Sequence, residues 1–441
     1  VIGVPLAGAE VDQLLLAALG LASVALMLLV ARRWPLVLAV GYLATTCFVP
    51  IWTGVSAGIY FPPQVLMAVL VLAVAVPQLR RLGVGPTRVD LLVLAFGVVS
   101  IAPLAVGGAS LTSVASVVTK FLAAYLVGRL LPALVGWGRF LTVLVWVFAV
   151  LAVLTLAENL TGTNLFQSFP GSPGLHAQWD DIQIRGGVAR AEGAFGHSIA
   201  LGATLASSVP LILAASIRPW LRVVTVVLVL SAVVVTFSRI GLVTACLGLL
   251  VSLVLGRGLP ARLRAGLAAG AAVVALIAVP LLGGVFTAAG DEAAGSAAYR
   301  GDLVSLIGDI DALGFSSAFA RTADGSPSFG QFESIDSALI LHGLTYGWLS
   351  LGIVAVLLVV AVVAVLARRA SAATIAVAAQ VPALATVALI TQYATWIWFL
   401  AGLAVWAQAA GVWRSRAPVP EGPPSLPPSG ERASLTRAIA G

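Results

Sequence analysis

Long apolar runs separated by short arginine-bearing connections restrict what this chain can fold into. A helix needs about 20 mostly apolar residues to cross a bilayer. Runs of that kind recur at 14–31, 35–51, 63–79, 89–106, 111–131, 140–157, 197–216, 220–237, 240–256, 265–285, 338–366, 372–390 and 393–412. They predict an all-α, polytopic transmembrane helical bundle of about 12–13 spans over residues 1–413. The run at 338–366 exceeds the need, so it either tilts or begins outside the bilayer. Of the 441 residues, 60% are hydrophobic and 9% charged, against about 25% charged in a soluble domain. That balance excludes a soluble enzyme, a DNA-binding module and a secreted disulfide scaffold. Cys47 and Cys246 both lie in apolar runs and offer neither a disulfide framework nor metal-ligand spacing.

Charge placement orients the bundle. Arginines at 32, 33, 80, 81, 88, 129, 139, 218, 222, 257, 262, 264, 368, 369, 414 and 416 fall in alternate connections. With Arg432 and Arg437 they make 18 of the 24 basic residues. The positive-inside rule assigns that face to the cytoplasm. The opposite face carries two long loops, 158–196 and 286–337, with 12 of the 17 acids and four arginines. The net charge of +7 is therefore a topological signature and calls for no nucleic acid. The first residues lack a basic segment, so no cleavable leader is expected. Residues 414–441, rich in Pro, Gly and Ser, read as a disordered cytoplasmic tail.

The outer loops hold the candidate chemistry. The first ends in Arg190-Ala-Glu192-Gly193-Ala-Phe195-Gly196-His197-Ser198 and enters a helix. Glycines, a helix N-terminus and a planar guanidinium suit a phosphate. Alternatively, Arg190 pairs with Glu192 or a lipid headgroup, and His197 is a cap. Arg239, in the outer hairpin Thr236-Phe237-Ser238-Arg239, breaks the charge bias; it either serves a site or snorkels to headgroups. Lys120 lies mid-span, where a charge faces a wet cavity, an anionic ligand or a carboxylate partner. In the second loop Leu303, Leu306, Ile307, Ile310 and Leu313 follow helical spacing. They predict an amphipathic helix that ends at Gly314, with Arg300 near its start. Asp336, at the start of the next helix, is either an N-cap or a general base. Glu333 is a second candidate base, and His342, further along the helix, would reach the same cavity. Nucleotide-loop, zinc-protease, serine-hydrolase and paired-aspartate metal motifs are absent from the sequence.

In order along residues 110–365, the Arg190-x-x-Gly193-x-Phe195-Gly196-His197 entry, the Ser238-Arg239 hairpin, the Arg300 helix and Ile335-Asp336-Ser337 with Tyr346-Gly347 form a set. This set resembles the O-antigen ligase and Wzy polymerase superfamily. The resemblance implies a GT-C-like glycosyltransferase of the bacterial inner membrane, active on its outer face and independent of metal or other cofactor. Its donor would be an undecaprenyl-diphosphate-linked glycan, and its acceptor another glycan or lipid, with membrane lipids around it and no nucleic acid. Arg190 and Arg300 would hold the diphosphate, and Arg239 and Lys120 would support donor or acceptor. Where ligases of the family carry His-Asn, this chain has Ile335-Asp336-Ser337, which points to a polymerase-type relative with Asp336 as base. Ligase-type transfer, and a transporter or flippase of lipid-linked oligosaccharide, are the alternatives. A transporter predicts broken helices and polar groups at mid-membrane.

Overall fold

The computed structural model describes residues 27–57, 59–179, 181–255, 259–288, 299, 301–322 and 327–412. The predicted tail and Arg300 lie outside the described residues.

The chain is a helical bundle compatible with a polytopic membrane protein. In chain order its helices are α1 (Leu36–Phe48), α2 (Pro63–Leu82), α3 (Arg88–Val106), α4 (Leu111–Val135) and α5 (Trp137–Thr161). There follow α6 (Ser198–Ala214), α7 (Pro219–Val235), α8 (Arg239–Leu255), α9 (Ala261–Thr287) and α10 (Ala338–Leu366). The last three are α11 (Ala372–Ala379), α12 (Val381–Thr386) and α13 (Thr391–Ala409). A short helix, Pro173–Trp179, several 3-10 turns and three two-stranded pairings are also described, the last joining residues 55–57 to 59–61, 184–185 to 188–189, and 319–321 to 327–329.

The span count differs from the sequence reading. Among the described residues six helices (α2–α5, α9 and α10) are long and apolar enough to cross a membrane. A seventh span results if α1 is joined to the preceding helix Met27–Arg33, from which it bends by 119°. Four further apolar segments, α6, α7, α8 and residues 372–386, are 10–17 residues long. Hydropathy does not distinguish a helix sheathed by other helices from one facing lipid. α6 is buried on nearly every side, whereas α9 is mostly exposed.

Small residues set the tightest crossing. α4 and α13 meet at Gly128 and Gly402, where an added Cβ would lie 2.1 Å from the Phe399 carbonyl oxygen and 2.0 Å from that of Tyr125. Backbones approach this closely only where side chains are absent. Two polar pegs cross the core: Tyr393 donates to Gln380 at 2.7 Å and Trp396 to Ser207 at 2.7 Å. On the arginine-rich face, Thr87 and Asp90 form a capping box that starts α3. Asp90 also accepts from Arg129 at 2.8 Å and from Tyr125 at 2.5 Å. Arg129, read in the sequence as one of the face's loose charges, is thus a buried strut between α3 and α4.

α10 is not one helix. At Gly347 the backbone turns to φ 86° and ψ 171°, and this kink divides the segment into two helices. The second outer loop fills the break. Trp348 and Leu349 donate to the Asp311 and Ala312 carbonyls at 2.8 and 3.2 Å. Gly314 and Ser316 donate to those of Tyr346 and Leu344 at 3.3 and 2.8 Å. Backbone groups orphaned at a helix break inside a membrane need partners of this kind.

Candidate functional site

The first outer loop is built around Glu158, a residue the sequence reading passed over. It stands at the end of α5, buried, and its carboxylate accepts from the Glu192 and Gly193 N–H groups at 3.0 and 2.9 Å. Glycine at 193, with φ 55°, is what turns these two donors together. The two N–H groups turned together at this glycine are thus occupied by the protein's own carboxylate. The one local signal was an acid closing an apolar run 34 residues before its partner.

His197 caps α6, its Nδ1 accepting from the Ile199 N–H at 3.2 Å. Arg190, 5% exposed, donates from Nε to the Thr236 carbonyl at 3.0 Å and from a terminal nitrogen to Gln183 at 3.1 Å. Arg185 donates to the Phe237 carbonyl at 3.2 Å. The two guanidinium groups thus clamp the turn that leads into α8, where Phe237 adopts a left-handed φ of 47°. Arg190 does not form an ion pair with Glu192, the partner offered by the plain reading; Glu192 instead accepts from the Gln183 N–H at 3.0 Å. Arg239 lies just beyond the clamped turn. Its side chain is exposed, and its guanidinium stacks over the Phe286 ring at 4.5 Å, tying α8 to the end of α9.

In the second loop the expected amphipathic helix is α-helical at Tyr299 and 301–303 and continues as a six-residue 3-10 turn, Val304–Asp309. Three residues per turn align i with i+3, and Leu303, Leu306 and Ile310 are buried beside Phe329, Phe332 and Ile335. Ile307 and Leu313 of the predicted stripe are exposed. Gly314 is left-handed but ends no helix; it lies where the loop presses on Gly108 and Pro103. Tyr299 donates to the Ser334 carbonyl, and burial and the Asp336 carboxylate both push its phenol up. Ser337, not Asp336, caps α10 by accepting from Ile340. Asp336 and Glu333 are both exposed.

Lys120 sits in a π-helical stretch, Val117–Leu122, of α4. It is half-buried and has no hydrogen bond or ion pair among the described residues. His342 does not join Asp336. It is buried, hydrogen-bonded to Ser350 at 2.8 Å, which in turn meets Ser100 at 2.8 Å. The candidates thus sort into a clamp (Arg185, Arg190, Glu158, Glu192, His197), separate exposed side chains (Arg239, Glu333, Asp336), the half-buried Lys120 and the buried His342.

Burial raises Glu192 to about 7, with Glu158 and Asp181 adding to the rise against Gln183 and Arg190. Burial, then Arg190 and Arg185, holds His197 down at about 3. The two act oppositely. Protonation of Glu192 favours the fold, so its contribution is present below about 4.5 and lost as pH rises through about 7. His197 contributes above about 6.5 and loses that contribution as pH falls toward about 3. Between about pH 4.5 and 6.5 the slopes offset. The Glu158 carboxylate, also buried, acts in the same direction as Glu192, so Glu192→Gln should unmask the histidine in part, stability falling by up to about 1.4 kcal/mol per unit of acidification. Denaturant unfolding in micelles across this range checks it; a profile identical to wild type removes Glu192 from the balance.

No protein-family model, curated protein or solved structure matches this chain.

Proposed function

We propose that the protein is a membrane glycosyltransferase of the O-antigen polymerase or ligase kind. It would take oligosaccharide from an undecaprenyl-diphosphate carrier at the outer face of a bacterial inner membrane. The observation that carries this reading is the state of Asp336. The carboxylate is exposed at the outer start of α10, relieved of capping by Ser337, and next to Tyr299, the residue before Arg300. A carboxylate in that position would take the proton of an acceptor hydroxyl, while arginines stabilise the charge developing on the departing diphosphate. Arg300 and Arg239 fill the cationic role. Arg190 acts one step removed, by holding the turn from which Arg239 projects, and Glu333, also exposed, precedes Asp336 by three residues. Polymerisation is preferred over ligation because Ile335-Asp336 replaces the ligase His-Asn.

The test is purified protein incubated with a diphosphate-linked oligosaccharide. A lengthening ladder is the expected product, and a single shifted acceptor would favour the ligase. Asp336→Asn should cut turnover by about 10²-fold or more. Arg300→Lys should also lose most activity, because lysine lacks the planar fork. Wild-type turnover in both variants would end this reading.

A transporter of the same lipid-linked glycan is the second reading. A specific observation favours it: the break at Gly347 stands beside the π-helical stretch that carries Lys120. The ring of Phe121, the residue after Lys120, lies 6.4 Å from His342 and 6.2 Å from Tyr346. Broken helices and π-stretches are common at such sites. Movement of the lipid across vesicles without new glycosidic product would establish it.

A further inference from the structure

An apolar slot runs along the bundle between α10, α12 and α13. Its volume is about 360 Å³. Ala338, Leu339 and His342 line one part, Thr87 and Gln408 another, and Trp398 and Ala401 belong to the wall. Along α13 the lining extends from Ile397 to Ala409, about 18 Å at 1.5 Å per residue. That exceeds half of a hydrocarbon core of about 30 Å, so one chain from one leaflet fits. Val360, in the lining, is exposed on the outer surface of the bundle, so the slot opens sideways. The mouth is cationic. Arg88 follows Thr87 and is exposed, and Gln408 donates to the Arg369 carbonyl at 2.8 Å, which brings exposed Arg368 and Arg369 to the same part of the slot. This is the face that the charge bias assigns to the cytoplasm.

We propose that this slot binds an anionic phospholipid of the inner leaflet, one acyl chain lying along α13 and the headgroup held by Arg88, Arg368 and Arg369. A chain of apolar contacts and three arginines at one leaflet's headgroup level match a lipid with a negative head. The site is independent of the outer-face chemistry, so it stands whether the protein transfers or transports glycan.

Trp398 reports on the slot. The protein is placed in phosphatidylcholine nanodiscs containing a minor fraction of dibrominated phosphatidylglycerol or, separately, dibrominated phosphatidylcholine, because bromine quenches tryptophan on contact. The part of the quenching that disappears in Trp398→Phe belongs to the slot. That part should be greater with the anionic lipid, by about fivefold for each arginine that contacts its headgroup. The exposed triple variant Arg88→Gln, Arg368→Gln, Arg369→Gln should bring the two lipids level without disturbing the fold. Equal quenching by both lipids in the wild type overturns the proposal. So does anionic-lipid quenching of equal extent in wild type and Trp398→Phe, or a polyprenyl phosphate that co-purifies and blocks it.

Discussion

Gly347→Val should detach the second outer loop from the bundle. The residue has φ 86° and ψ 171°, a region essentially restricted to glycine, at a cost of about 1–3 kcal/mol for other residues. Space forbids a side chain as well. An added Cβ would lie 2.6 Å from the Leu313 Cα and 2.7 Å from the Ala312 carbonyl oxygen, both backbone atoms that cannot rotate away. Relief requires the loop to withdraw, and withdrawal breaks the bonds joining 311–316 to 344–349. At about 1 kcal/mol per bond, added to the strain, the expected loss is on the order of 5 kcal/mol. Hydrogen exchange should show the amides of Gly314, Ser316, Trp348 and Leu349 losing protection together. Under the proposed function, turnover should fall too, since Asp336 is carried by the helix this loop braces. Gly352→Ala is the control: it lies in the same helix with nothing within 4 Å of its added Cβ, and should leave exchange unchanged. Retained protection in Gly347→Val would show that the loop is not held by the break.

The second large effect is expected at the α4–α13 crossing. In Gly402→Val the new Cβ would stand 2.0 Å from the Tyr125 carbonyl oxygen and 3.0 Å from the Arg129 nitrogen. Overpacking alone costs about 1–3 kcal/mol. Here the obstructing atoms belong to the α4 backbone, so the two helices must part as well. The variant should fail to hold its fold in detergent, while Gly402→Ala should be markedly less stable than wild type. Gly128→Ala presses on the same seam from the other side, 2.1 Å from the Phe399 oxygen. The double alanine variant should therefore cost less than the sum of the singles, as coupled neighbours do. Unfolding midpoints check this, with Gly283→Ala in α9, where nothing lies within 4 Å, as the neutral reference. Additive losses would mean that the two glycines serve different contacts.

The chain's helical, membrane-suited character was readable from its residues alone, because hydrophobic run length and arginine placement are local properties. The cap of α6 by His197 was also readable, as one of two alternatives, because a cap involves only neighbours in sequence. Tertiary structure decided everything that depends on distant backbone. Glu158 fills the glycine-built cradle of Glu192 and Gly193, a pairing across 34 residues that no spacing announces. Arg190 grips the Thr236 carbonyl because that turn happens to pass it. The run at 338–366 reads as one helix, and only the docking of residues 311–316 makes a break at Gly347 stable. In each case the deciding term is the satisfaction of buried polar groups away from water, which a one-dimensional pattern does not contain.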